Sequence, residues 1–203
     1  MKKTIILGIG GGIAAYKSCE LVRLLVKEGF SVHVVMTAAA KEFVTPLTLQ
    51  TLSMNPVSTD MWKEALSPAR PEPVEGRISH ITFADKADAV VIAPATADLV
   101  AKAAHGLAND LLTNILLATR APVLFCPSMN VHMWEHKATQ ANVKRLKELG
   151  YHVMEPDSGE LACGYEGKGR LCEPEAIVKK ICLSFPRKRE SRDPRFHGDD
   201  NPK

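Results

Sequence analysis

Three consecutive glycines, Gly10, Gly11 and Gly12, separate an apolar run from a segment of helical periodicity in the stretch LGIGGGIAAYKS, residues 7–18. The peptide N–H groups of such a turn and the helix N-terminus behind it converge on one point, and the ligand that suits them is a phosphate. The neighbouring residues narrow the choice. A dinucleotide fingerprint requires a third glycine where Ile13 stands, and the second apolar run ends VVMTAAA, with no carboxylate to hold a ribose. A P-loop requires glycine directly before Lys17 and Ser18, and Tyr16 occupies that position. What remains is a mononucleotide such as FMN, its single phosphate set against the backbone at Gly11 and Gly12 with the hydroxyl of Thr37 alongside. A glycine turn that serves close packing alone has the same appearance.

The elements that must hold this turn are legible from periodicity. Apolar runs of strand length recur at Thr4–Ile9, Ser31–Met36, 89–93, 122–126 and 151–154, with helical patterns between most of them. This alternation implies a Rossmann-like or flavodoxin-like α/β fold, a doubly wound parallel sheet in a three-layer α/β/α sandwich. In the first helix Ile13, Ala14, Leu21, Leu24 and Leu25 form one apolar stripe, and Gly29 stands at the expected stop. Residues 97–105, 110–119 and 137–149 give three further helices, the last ended by Gly150.

Composition bounds the remainder. The chain has 203 residues, 45% hydrophobic and 24% charged, enough for one domain with a sizeable core. The formal net charge is +3, of which residues 186–203 carry +2, so no nucleic-acid footprint is expected. No apolar run approaches the roughly 18 residues of a membrane span, and the Met1-Lys2-Lys3 start lacks the cleavage site of a secretory signal. The five cysteines, Cys19, Cys126, Cys163, Cys172 and Cys182, include no Cys-x-x-Cys pair. They point to a reducing cytoplasm and to no metal. Two segments stand apart from the α/β pattern: LSPARPEPVEGR at 66–77 is expected to be an irregular insert, and the charged residues 184–203 a disordered tail after a domain of residues 1–183. Both resemble translated repetitive DNA.

Four blocks in order carry a resemblance: GGGIAAYK (10–17), SHITFADKADAVVIAPATADLVAKAAHGLANDLLT (79–113), PSMNVHMW (127–134) and GELACGYEGKGRL (159–171). They are similar to the flavin-containing cysteine decarboxylase family, and most closely to its coenzyme A branch. The resemblance covers residues 2 to about 183. It implies FMN at the carboxyl ends of the strands, with Gly11, Gly12 and Ile13 on the phosphate side, Thr37 adding a hydroxyl, and Ala95 and Thr96 reaching the cofactor from the third-strand turn. Without the resemblance, Pro94 after a buried strand would simply end it, His80 would pack or cap the start of a segment, and Asn130 would cap a helix. With it, His80 matches the catalytic histidine near the substrate thiol, although more residues separate Pro56 from His80 here than in relatives. Asn130 matches the residue that orients the substrate carboxylate, a task for which a neutral amide is suited because it forms no strong ion pair with the departing charge.

Cys163 lies among Gly159, Gly164, Gly167 and Gly169, a segment the resemblance identifies as a flap over substrate with Cys163 as proton donor. A thiol of ordinary pKa, roughly 8.5, is protonated near neutrality and can act as an acid. Lys168 and Arg170 of the same segment are candidates for a substrate phosphate. The implied reaction is a redox-neutral conversion of 4′-phosphopantothenoyl-cysteine to 4′-phosphopantetheine, in which oxidation at the cysteinyl CH₂–SH creates the electron sink for loss of carbon dioxide. Two other readings attach to the same fold: a peptide cysteine decarboxylase or flavin prenyltransferase, and a non-catalytic FMN-binding regulatory subunit. The resemblance further implies a homotrimer or a trimer-based higher oligomer. It also leaves two expectations for the missing second domain, which in many bacterial relatives joins cysteine to phosphopantothenate: a naturally single-function decarboxylase, or a bifunctional protein cut short.

Overall fold

In the computed structural model, residues 2–61, 79–160 and 164–184 are described. The expected insert at 66–77, Cys163, and the expected tail apart from Ser184 lie outside them. Five parallel strands, β1 (Thr4–Ile9), β2 (Ser31–Met36), β3 (Ala89–Ala95), β4 (Val123–Pro127) and β5 (His152–Val153), form one sheet in the order β2-β1-β3-β4-β5. β1 and β3 are buried along nearly their whole length, which is why their sequences are continuously apolar rather than alternating.

The pleat divides the strand side chains between two cores. Ile5, Leu7, Ile9, Val32, Val34, Val91 and Leu124 face α1 (Lys17–Lys27), α2 (Pro46–Ser53) and α8 (Pro174–Ser184). Ile6, Val35, Val90, Ile92, Val123 and Phe125 face α4 (Ala97–His105), α5 (Leu111–Ala118) and α7 (Lys137–Glu148). α3 (Ser79–Lys86) packs beside α5 on that second face. Helices therefore cover both faces of a parallel sheet, the three-layer arrangement expected from the alternation.

Strands β1 and β2 have the bounds expected from sequence. β3 runs through Pro94 to Ala95, two residues beyond the apolar run, and β4 is Val123–Pro127. Gly8 lets α5 approach β1 directly, because a Cβ there would stand 2.5 Å from Leu112 Cδ1. The first helix differs from expectation at its start. Residues Ile13–Tyr16 form a 3-10 turn, and α1 begins only at Lys17. Leu21 and Leu25 are buried as the stripe requires, but Ile13 is 59% exposed and leaves the core. The glycine-rich segment near the C-terminus holds an antiparallel pair, β6 (Asp157–Glu160) and β7 (Glu166–Arg170). α6 (Val131–Glu135) lies between β4 and α7 and contacts β7.

Candidate active site

Chain direction diverges between β1 and β3: the chain leaves β1 for β2 on one side, and β3, β4 and β5 follow on the other. In an open α/β sheet the crevice at the carboxyl ends of such strands is the ligand site. A cavity of about 740 Å³ opens there, lined by residues that follow β1, β2, β3 and β4 in turn. Gly11, Gly12 and Ile13 come from the β1 turn, Thr37 from the end of β2, Thr96 from the end of β3, and Asn130 from the segment after β4. Six of the nine residues expected to serve the cofactor, the catalysis or the substrate carboxylate thus line one cavity.

Short polar links fix these segments to one another. The Gly10 N–H donates to the Pro94 carbonyl at 3.0 Å, and the Ser18 hydroxyl donates to the Ala93 carbonyl at 2.8 Å, tying the glycine turn to β3. The Ser128 N–H donates to the Ala95 carbonyl, and the Met129 N–H to the Gly169 carbonyl, each at 3.0 Å, which joins the segment after β4 to both β3 and β7. The Thr37 hydroxyl donates to the Ile9 carbonyl at 3.3 Å and accepts from the Ala40 N–H at 3.2 Å, so it also stabilises the turn it occupies. Thr96 caps α4, its hydroxyl accepting from the Leu99 N–H.

The donor set suits a phosphate attached to an apolar body. A Cβ at Gly11 would stand 2.3 Å from the Cβ of Ala39, so only glycine lets the two turns approach this closely. A Cβ at Gly12 meets nothing within 4 Å, which leaves that backbone open toward the cavity. Ile13, Leu99, Met129 and Met133 supply apolar walls. Lys102 is the one cation among the described lining residues, and it is held by Asp98 at 2.9 Å and Asp110 at 3.9 Å. Its charge is therefore compensated.

Three sequence candidates stand elsewhere. Ala95 is fully buried at the end of β3 and does not line the cavity. His80 lies in the first turn of α3, also outside the lining. α3 leads into β3 through Ala87 and Asp88. The His80 Nδ1 is buried and has no hydrogen-bond partner among the described residues, a state that costs free energy unless a ligand or partner satisfies it. Cys163 lies outside the described residues, between β6 and β7 in the chain.

Asn130 has both of the roles its position suggested within reach. Its Oδ1 accepts from the His132 N–H at 2.8 Å as the N-cap of α6, and the residue lines the cavity.

The remaining cysteines sort by surroundings. Cys126 is fully buried in β4, and burial pushes its thiol up. Cys172 donates to the Glu155 carbonyl at 3.0 Å, and burial, then the nearby Asp157, pushes its pKa from 9.0 up to about 11. Thiols held protonated in this way are poor nucleophiles. Between about pH 9 and about pH 11 the unfolded chain binds fewer protons at Cys172 than the folded one, so this contribution to stability is complete below the window and is lost as pH rises through it. The urea midpoint is expected to fall less steeply across that window in Cys172→Ala than in the unsubstituted protein.

A family model described as Flavoprotein matches residues 1–185. The coenzyme A biosynthesis bifunctional protein CoaBC of Bacillus subtilis (strain 168) is 50% identical over 177 residues, covering 87% of this chain and 42% of the relative. The chain therefore spans less than half the length of that protein. Among solved structures, a cysteine-to-serine mutant of PPC decarboxylase complexed with pantothenoylaminoethenethiol superposes with a TM-score of 0.80 at 29% identity, over 92% of this chain and 100% of the other. The FMN binding protein AtHal3 superposes with a TM-score of 0.76 at 30% identity, over 91% and 97%. With a flavin as its class of cofactor and a cavity at the strand ends of a matching sheet, the chain belongs to the flavoprotein family.

Proposed function

We propose that this chain decarboxylates 4′-phosphopantothenoyl-cysteine to 4′-phosphopantetheine, with FMN as the flavin. The observation that carries the reading is the single cavity onto which both the glycine turn and Asn130 open, in a chain half identical to CoaBC over most of its length. Gly11, Gly12 and Ile13 would hold the FMN phosphate through backbone N–H groups, Thr37 and Thr96 would border it, and Ala95 would back it from β3. When bound, the flavin supplies a reversible two-electron acceptor, so electrons drawn from the cysteinyl CH₂–SH return within one cycle and the net reaction is redox-neutral.

The chain's own residues supply orientation and protons. The Asn130 amide orients the substrate carboxylate without an ion pair that would hold the charge in place. Apolar walls from Ile13, Met129 and Met133 leave that carboxylate poorly hydrated, which favours its loss. His80 exchanges the proton of the substrate sulfur, a role suited to its unsatisfied Nδ1. Cys163 delivers a proton to the carbon that bore the carboxylate. The reaction belongs to the cytoplasm, and no described helix is long and apolar enough to cross a membrane. A trimer-based assembly completes the reading, and Phe43 and Leu47, each at least half exposed, are apolar side chains such an assembly would cover.

The deciding experiment is the product mass after incubation with 4′-phosphopantothenoyl-cysteine. Conversion to 4′-phosphopantetheine supports the assignment, and an unchanged substrate mass overturns it. Two glycine substitutions test the phosphate seat separately. Gly11→Ala forces the turn away from Ala39 and is expected to lower stability by about 1–3 kcal/mol as well as flavin content. Gly12→Ala meets open space, so the thermal midpoint should hold while the yellow absorbance of the purified protein falls. Equal flavin content in Gly12→Ala and the unsubstituted protein would move the phosphate elsewhere.

A further inference from the structure

A second cavity, of about 500 Å³, lies between the start of α1 and the β6–β7 pair. It shares Ile13, Ala14 and Ser128 with the first, so one ligand can extend through both. Its cations among the described lining residues are Lys17 and Arg170. We infer that this cavity receives the terminal phosphomonoester of the substrate, bound by Lys17 and Arg170. The inference rests on the decarboxylase reading above and names the subsite that distinguishes a phosphorylated substrate from an unphosphorylated one.

Charge distribution carries the argument. In the first cavity Lys102 faces two carboxylates, an arrangement that offers an anion no free charge. Among the described residues lining the second, two cations, Lys17 and Arg170, stand with one carboxylate, Glu160. Lys17 Nζ binds both oxygens of Glu173, at 2.8 and 2.9 Å, and Arg170 Nη2 lies 3.5 Å from the same carboxylate. Two cations thus share one acid outside the cavity lining and can turn to a second anion. Lys17 is also the better positioned, since only 14% of its side chain is exposed. Lys168 is bound to Glu155 and lines neither cavity. Glu160 is the one carboxylate among the described residues lining the second cavity, and it opposes the phosphate.

Separating the cations from Asn130 has a chemical reason. A cation beside the reacting carboxylate would stabilise the charge that must depart. A cation at the distant end binds ground state and transition state alike, and so lowers KM without resisting the chemistry.

The test measures kcat/KM for 4′-phosphopantothenoyl-cysteine divided by kcat/KM for pantothenoyl-cysteine, with the FMN-loaded protein. Lys17→Gln and Arg170→Gln should each lower this ratio by about tenfold to a hundredfold, mainly through KM, as expected for loss of a hydrogen bond to a charged group. Lys17→Arg should retain it, and Glu160→Gln should raise it. An unchanged ratio in both glutamine variants, or equal losses on both substrates, overturns the subsite. If Lys17→Gln does not fold, Glu160→Gln decides, and a ratio that stays level or falls overturns the subsite. Titration calorimetry with 4′-phosphopantetheine and pantetheine separates the two claims. Phosphate-dependent binding lost in Arg170→Gln, in a protein that decarboxylates neither substrate, leaves the subsite standing and removes the reaction. Decarboxylation whose phosphate preference ignores Lys17 and Arg170 removes the subsite alone.

Discussion

Cys163→Ser is expected to release carbon dioxide from 4′-phosphopantothenoyl-cysteine yet stop short of 4′-phosphopantetheine, accumulating the unsaturated enethiol. The two halves of the reaction need different groups. In the proposed reaction, loss of carbon dioxide requires an electron sink at the sulfur-bearing carbon and a carboxylate that we assign to Asn130, neither of which involves Cys163. Saturation of the product requires a proton at the carbon that bore the carboxylate. A thiol, with an ordinary pKa of roughly 8.5, can give that proton near neutrality, whereas a serine hydroxyl of nearly the same shape is far too weak an acid. Formation of the saturated product should fall by about 10²- to 10⁴-fold, the usual contribution of a positioned proton donor.

The described thiols offer no obvious substitute. Cys19, Cys126, Cys172 and Cys182 line neither cavity, and Cys126 and Cys172 are buried and more firmly protonated than an ordinary thiol. The related PPC decarboxylase has been captured as a cysteine-to-serine mutant with pantothenoylaminoethenethiol, a compound of this unsaturated kind. Mass spectrometry of a stopped reaction distinguishes the enethiol from 4′-phosphopantetheine by the missing pair of hydrogens. Saturated product at the unsubstituted rate would assign the proton to another residue.

What the sequence made legible follows from what dominates each element. β1 matches expectation residue for residue because burial on both faces leaves a continuous apolar run, and β2, whose half-buried Ser31 and His33 alternate with buried valines, matches through that alternation and the apolar VVM that ends it. Ile13 could not be placed by the same logic. Its spacing fits the stripe of α1, but the 3-10 turn rotates it out of register with Leu21 and Leu25, and the isoleucine becomes a cavity wall instead of core. Periodicity measures apolar spacing and cannot distinguish a side chain that faces a core from one that faces a ligand.

The β6–β7 pair escaped for the opposite reason. Its residues, DSGE and EGKGR, carry almost no apolar signal, and the pairing is set by backbone hydrogen bonds and by the link from Met129 to Gly169. Lys17 was equally hidden. In the chain it is the first residue of α1, five positions after Gly12, and only folding brings it beside Arg170 and Glu173, which are more than 150 residues away. The glycine turn itself was readable because Gly11 answers to a local demand, the approach of Ala39, that no other residue type can meet.

Asn130→Asp is expected to keep the fold and lose the enzyme. The Asn130 Oδ1 accepts from the His132 N–H at 2.8 Å and caps α6, and an aspartate caps a helix as well as an asparagine does. The thermal midpoint should therefore stay where it is. On the cavity side the change is severe. If Asn130 holds the substrate carboxylate as proposed, the amide donor is replaced by a negative charge facing it, and two like charges about 4 Å apart repel by about 4 kcal/mol at an effective dielectric of 20. A loss in kcat/KM of about a hundredfold to a thousandfold follows. Asn130→Ala removes the donor and the cap without adding repulsion, so it should cost about 1 kcal/mol of stability but less activity than the aspartate does. The two variants thus reverse order between thermal unfolding and turnover, which a purely structural asparagine cannot produce. Lowering the pH adds a second signature: protonation of the introduced carboxyl lifts the repulsion, so activity relative to the unsubstituted protein should rise as pH falls toward the carboxyl range, near 4. An Asn130→Asp protein that turns over normally at neutral pH would confine Asn130 to capping α6 and leave the substrate carboxylate to another donor.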